Sequence, residues 1–227
     1  MESQIKKLIV STVNAFETGS AGGNYALLTV FRDGKGNTRQ ITYGRSQTTE
    51  QGNLKALLLL YVENGGKYAK QIAPYIGRMG KESLVDNKTF KNWLVKAGQS
   101  DPIMIATQDQ FFDRQYFLPA MKWAADNGFV LALSRLVIYD SFVHSGSIMW
   151  FLRQRFLEVP PINGGDERAW IRAYMLTRLA WLRSHENDAI RRSAYRAETL
   201  LAQIEGNNWA LDKVYVANGA KISSDIA

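Results

Sequence analysis

The chain has 227 residues, 46% hydrophobic and 22% charged, an ordinary globular composition that excludes intrinsic disorder over most of its length. It contains no cysteine, which excludes a disulfide framework, a thiolate metal site and a cysteine nucleophile. A formal charge of +7 favours anionic partners such as an acidic polysaccharide or an anionic cell wall, and the length suits one large domain with two lobes.

The first residues, MESQIKKLIVSTVNAFE, lack the basic start, long apolar core and small-residue cleavage site of a signal peptide. Apolar side chains at Ile5, Leu8, Ile9, Val13 and Phe16 have helical spacing, so a helix is expected over 4–17, stopping at Thr18-Gly19. Glu17 then sits at the negative end of the helix dipole. That field opposes a carboxylate, the direction a proton donor needs. After the glycine-rich link GSAGGN, the segments YALLTVF and TRQITYG read as two strands around the turn RDGKGN. This hairpin carries Asp33 and Thr38 at its tip.

A helix follows over about 54–63, ending at Gly65-Gly66. Its apolar run at 56–62 is too short to span a bilayer, so no membrane span is expected. Further helices are expected over about 67–76, 82–97, 107–127, 128–145, 147–157, 166–183 and 187–205. Residues 129–143 are apolar nearly all round and read as the buried central helix. Asp140, inside that run, must be paired, with Arg178 or Arg135 as candidates. Asp166 is placed to cap the helix after the loop PPINGG. A strand-like piece, KVYVA, closes the pattern. One small sheet beside many helices is an α+β arrangement.

Two carboxylates stand out: Glu17 at a helix end and Asp33 on the hairpin. Hydrolysis of a glycosidic bond needs two such groups, one to protonate the leaving oxygen and one to activate water or attack. Thr38 and Thr42 are the nearby hydroxyls that could hold the water. With 21 acidic residues in the chain, the bare pair carries little weight by itself. Tyr25, Tyr43 and Trp150 are candidate sugar-stacking rings. Glu50 is the reserve candidate for the base. His144 and His185 lack metal-ligand spacing, so neither a metal nor an organic cofactor is expected. Arg191, Arg192 and Arg196 read as a solvated basic helix face. The basic residues are spread along the chain, which argues against a nucleic-acid partner.

Three stretches resemble glycoside hydrolase family 46, the chitosanases. Glu17…Tyr25…Asp33-Gly-Lys-Gly-Asn-Thr38 looks like the family's catalytic segment. Residues 112–146, beginning FDRQYFLPA and running through Tyr139-Asp140, are similar to its central region. Gly164-Gly165-Asp166-Glu167 followed by Arg178 matches a third stretch in the same order. The hairpin also resembles that of phage-type lysozymes, with Thr42-Tyr43-Gly44 as a second match.

The resemblance implies a lysozyme-like α+β fold: mostly helical, with a small β-hairpin lobe and a cleft between two lobes, as one domain over 1–227. It implies Glu17 as general acid, Asp33 as general base and Thr38 as holder of the water. Asp140 and Arg178 would form a buried charge network behind Glu17, and Tyr25, Thr42 and Glu167 would contact substrate. The expected activity is endo-acting, inverting hydrolysis of a β-1,4-linked glucosamine polymer. The alternatives are a peptidoglycan-cleaving muramidase, which suits the net charge, and a catalytically silent glycan-binding protein. A monomer acting outside the cytoplasm is expected, by an export route not visible in these residues.

Overall fold

The computed structural model describes residues 2–224. The elements run α1 (Glu2–Thr18), β1 (Leu28–Phe31), β2 (Gln40–Tyr43), β3 (Thr48–Thr49), α2 (Leu54–Glu63), α3 (Ala69–Ile76), α4 (Lys88–Ser100), α5 (Pro102–Phe112), α6 (Leu118–Asp126), α7 (Ala132–Ser145), α8 (Trp150–Arg153), α9 (Glu167–Ser184), α10 (Asp188–Arg192), α11 (Ala194–Glu205), β4 (Tyr215–Ala217) and β5 (Ala220–Ile222). They form two compact units. One holds residues 2–22 and 115–224, the other residues 23–114.

The first unit is built on α7. Its residues from Ala132 to Ser141 are almost all buried, as the apolar sequence requires, among α1, α6, α9 and α11. Trp170 on α9 stacks on Tyr174 at 5.4 Å and meets Phe129 and Phe156 edge-on, filling the same core. The antiparallel pair β4–β5 packs against α1. In the second unit, β1, β2 and β3 form an antiparallel sheet with Leu28 opposite Tyr43 and Thr42 opposite Thr49. The hairpin is therefore extended by a third, short strand. Behind it, α2 to α5 bury Leu57, Leu58, Phe90, Leu94 and Phe112.

Most departures from the expected helices have local causes. The run expected over 107–127 is three segments: α5, a π-helical turn over Asp113–Phe117, and α6. Pro119 has no amide hydrogen and cannot continue the ladder of α5, and the chain widens there before resuming. The chain also passes from the second unit back to the first at 114–115. α4 starts at Lys88 rather than 82, because Asn87 accepts the amide of Phe90 at 2.9 Å and fixes the cap. α5 likewise starts early, at Pro102, under Asp101. α7 starts at Ala132, after Gly128 at φ +81°. Asp166 caps α9 through the amide of Ala169 at 2.7 Å. The expected helix over 187–205 is split at Ser193 into α10 and α11.

Candidate active site

Glu17 lies in the last turn of α1, and the carbonyls around it are tied down. Ala15 O accepts from Gly19 N at 2.8 Å and Asn218 Nδ2 at 2.9 Å. Phe16 O accepts from the Tyr195 hydroxyl at 2.6 Å. Gly19, at φ +71°, takes the left-handed conformation that ends the helix there. The helix end that presents Glu17 is thus fixed by α11 and by the β4–β5 turn.

The Glu17 side chain is 15% exposed and accepts from Arg196 Nη1 at 2.5 Å. Arg196, on α11, is buried, with its guanidinium 5.1 Å from the centre of the Phe16 ring. Its Nε and Nη2 donate to Asp140 Oδ1 at 3.0 and 2.6 Å. Asp140 Oδ2 lies 3.1 Å from Arg178 Nη1, which also donates to Ser141 Oγ at 2.6 Å. The Tyr174 hydroxyl donates to the same Ser141 oxygen at 2.9 Å. Glu17, Arg196, Asp140 and Arg178 therefore form a chain of alternating charge through the interior of the first unit.

The chain of charges explains how an aspartate survives in an apolar helix. Burial opposes the charge on Asp140, but Arg196 and Arg178 outweigh it and hold the carboxyl below the usual carboxylate range. Burial also opposes the charge on Arg196, and Asp140 and Glu17 together hold its guanidinium more firmly protonated than usual. Arg135, the other expected partner of Asp140, pairs with Glu2 at 2.7 Å instead.

Arg196 is the residue the sequence reading misplaced. It is not on the solvated face of Arg191 and Arg192. The available signal was its place in the row Arg196, Leu200, Ile204, one i, i+4, i+8 stripe on the buried side of α11.

His144 lies one turn beyond Asp140. Burial, with Arg196 and Arg178 nearby, pushes its imidazole down to about 3, against the opposing pull of Asp140. The unfolded chain binds a proton at about pH 6.5 that the folded one refuses until about pH 3. The stability this supplies is complete above pH 6.5 and is lost as pH falls towards 3. His144→Gln is expected to flatten the fall in melting temperature between pH 7 and 4; equal slopes for both proteins would remove His144 as the cause.

Asp33 lies in the second unit, exposed at the end of β1. Its Oδ1 accepts from Gln40 Nε2 at 3.0 Å. Gln40 Oε1 accepts from Gln51 N at 3.1 Å, and Gln51 Oε1 accepts from Lys35 N at 2.7 Å. Gln51 Nε2 donates to Thr38 Oγ1 at 2.9 Å, and that hydroxyl donates to Lys35 O at 2.9 Å. Two glutamines thus join Asp33 and Thr38 into one network, and neither was singled out from the sequence. The turn admits Gln51 because residue 34 is glycine. A Cβ there would lie 2.5 Å from Gln51 Nε2 and 2.8 Å from Thr38 Oγ1.

Other expected site residues have structural work of their own. Thr42 is 4% exposed inside the sheet, which removes it from the sugar-contact group. Tyr43 is fully buried and donates to Leu94 O at 2.7 Å, so it cannot stack on a sugar. Glu50 is buried, its two oxygens accepting the amides of Ile41 at 3.1 Å and Leu84 at 2.6 Å, so it is no reserve base. Glu167 Oε1 accepts the amides of Val130 at 3.0 Å and Leu131 at 2.8 Å, tying the start of α9 to the start of α7 rather than standing free for substrate. Trp150 is exposed.

Tyr25 is half-buried, and its hydroxyl donates to Asp109 Oδ1 at 2.8 Å, beside the Arg45–Asp109 pair at 2.9 Å. Burial, with the Asp109 charge, pushes its phenol up to about 12. Gln108 Nε2 holds Tyr25 O at 2.9 Å. Gly98 packs against the same carbonyl so closely that a Cβ would lie 2.2 Å from it and 2.6 Å from Ala26 Cα. Both are backbone atoms, so Gly98→Ala is expected to cost about 1–3 kcal/mol, read as a lower urea midpoint. An unchanged midpoint would show that the segment can move aside.

The model of glycosyl hydrolase family 46 matches residues 10–213. The chitosanase of Bacillus subtilis (strain 168) is 26% identical over 223 residues, covering 91% of this chain and 79% of that protein. A mutant chitosanase of Bacillus subtilis MY002, complexed with six GlcN, superposes with a TM-score of 0.82 at 23% identity, over 97% of this chain and 98% of the other. The chitosanase of Gynuella sunshinyii in complex with chitotetraose superposes with a TM-score of 0.79 at 22% identity, over 97% of each chain. These two likenesses establish a shared fold, mostly helical with a small antiparallel sheet.

Proposed function

We propose, on the premise that the chain belongs to glycosyl hydrolase family 46 and is therefore a glycoside hydrolase, that it cleaves β-1,4-linked glucosamine polymer internally and with inversion. The observation that carries the mechanism is the charge chain ending on Glu17. A general acid must give up a proton to the leaving oxygen and become a carboxylate as it does so. Arg196 already stands where that carboxylate forms, and Asp140 and Arg178 hold Arg196 in place. The new charge is stabilised without rearrangement, which is the economy of a preorganised site.

In this reading Asp33 takes the proton from the attacking water. Gln40 holds one of its oxygens, leaving the other for the water. Thr38, oriented by Gln51 and Lys35, presents a remaining lone pair to the same water. Tyr25, half-buried and anchored by its hydroxyl to Asp109, contributes to substrate contact. The relatives' names support glucosamine polymer as the substrate. A polymer of this kind is met outside the cytoplasm, so we place the enzyme's action there.

The test is incubation with chitosan and, separately, with purified peptidoglycan, with anomers followed by NMR. Release of α-anomeric glucosamine oligomers from chitosan supports the reading. Cleavage of peptidoglycan alone, or β-anomeric products, overturns it. Asp33→Asn is expected to lower kcat by about 10²-fold or more with little change in melting temperature, since Asp33 is exposed. Full activity in that variant would move the base elsewhere.

A further inference from the structure

Residues 67–96 carry seven Lys and Arg side chains against two acidic ones, so the basic residues are not evenly spread after all. Both acidic ones are already matched: Glu82 with Arg78 at 2.6 Å and Asp86 with Arg39 at 3.2 Å. Lys67, Lys70 and Lys96 are exposed and make no ion pair among the described residues. Lys67 Nζ lies 5.4 Å from the centre of the Tyr68 ring, and Lys96 Nζ lies 4.9 Å from that of Trp93. The two rings are 5.7 Å apart and tilted by 34°. Trp93, Lys96 and Ser100 share one face of α4 at i, i+3 and i+7, and Ser100 Oγ lies 3.2 Å from the Tyr68 hydroxyl. The start of α3 and this face of α4 therefore form one cationic, aromatic platform within the second unit.

We propose that this platform binds an anionic polysaccharide with carboxylates on successive pyranose rings. The glucosamine polymer of the proposed reaction is itself cationic at mildly acid pH and is repelled by unpaired ammonium groups, so hydrolysis does not explain the platform. A uronate polymer meets both of its features. The C–H face of a pyranose packs on an aromatic ring, and each carboxylate finds an ammonium beside it. Each ring has an ammonium beside it, Lys67 at Tyr68 and Lys96 at Trp93, so an apolar contact and a positive charge recur together, as the sugar ring and carboxylate of a uronate do. The platform would hold the enzyme on a polyanionic matrix while its catalytic residues act on a different polymer.

The test is titration calorimetry of the whole protein with polygalacturonate at low and raised salt. The wild type binds, and its affinity falls as salt rises. Lys67→Gln, Lys70→Gln and Lys96→Gln together lower that affinity by about tenfold or more, while chitosan hydrolysis stays within about twofold of wild type. Trp93→Leu weakens polygalacturonate but not inorganic polyphosphate, which has no sugar face. The proposal is overturned by an absence of polygalacturonate binding or by binding that survives the triple variant. It is also overturned by equal losses on both probes in Trp93→Leu, or by tighter binding of a single-stranded oligonucleotide. A triple variant that loses chitosan hydrolysis as well would assign the platform to the substrate path and overturn it too.

Discussion

Glu17→Gln is expected to lower kcat on chitosan by about 10²–10⁴-fold while the protein stays folded. The amide matches the carboxylate in shape and keeps an oxygen for Arg196 Nη1, so the geometry at the end of α1 persists. What it loses is the transferable proton and the charge that Arg196 is placed to stabilise. Arg196 keeps its two bonds to Asp140, so the buried network retains its main pair. The thermal cost should accordingly be small, about 1 kcal/mol, the scale of one hydrogen bond weakened from charged to neutral. A further signature separates acid catalysis from mere positioning. A glucosamine oligomer with a nitrophenolate leaving group needs little protonation, so its loss of rate should be much smaller than that of chitosan. Retention of most of the wild-type rate on chitosan would remove Glu17 from the acid role.

Local signals were enough to place much of the fold in the sequence. The helical stripe of α1 and its glycine stop, the turn between β1 and β2, and the all-round apolar run of α7 each follow from period or turn chemistry within a few residues. What escaped depended on contacts distant in sequence, or on single residues that overrule a pattern. The π-helical turn over Asp113–Phe117 interrupts a strong helical pattern because of one proline. β3 is only two residues long, too short to show alternation.

The candidate site divides in the same way. Glu17 and Asp33 stood out by their places at a helix end and on the hairpin, but among 21 acidic residues it was the resemblance that gave the pair its weight. Gln40 and Gln51 are uncharged side chains whose importance lies entirely in what they touch. Glu50 and Glu167 show the opposite error. Each is a carboxylate that resembles chemistry in the sequence, and each accepts two backbone amides in the structure. Burial of a charge is legible only when its partner is known, and for Asp140 one of the two partners is 56 residues away.

Arg196→Met is expected to impair both stability and catalysis, and Arg196→Lys to separate the two. Methionine fills similar length but removes three charge-assisted hydrogen bonds, leaving Asp140 Oδ1 without its donors and Glu17 without its counter-charge. Removing one partner of a buried ionic network costs about 3–5 kcal/mol, because the remaining charge stays desolvated. A lower urea midpoint for Arg196→Met therefore tests the structural half. Lysine restores the charge and much of the stability, yet a single ammonium lacks the planar fork that reaches Asp140 and Glu17 at once. Its kcat should remain reduced by about tenfold or more, the deficit of a positioning group rather than of a binding one. The Arg196 side chain is 5% exposed, so KM should hardly move in either variant. A rise in KM at constant kcat would mean that Arg196 binds sugar directly. Wild-type kcat in Arg196→Lys would mean that charge alone suffices and that the orientation of Glu17 is set by α1 without help from α11.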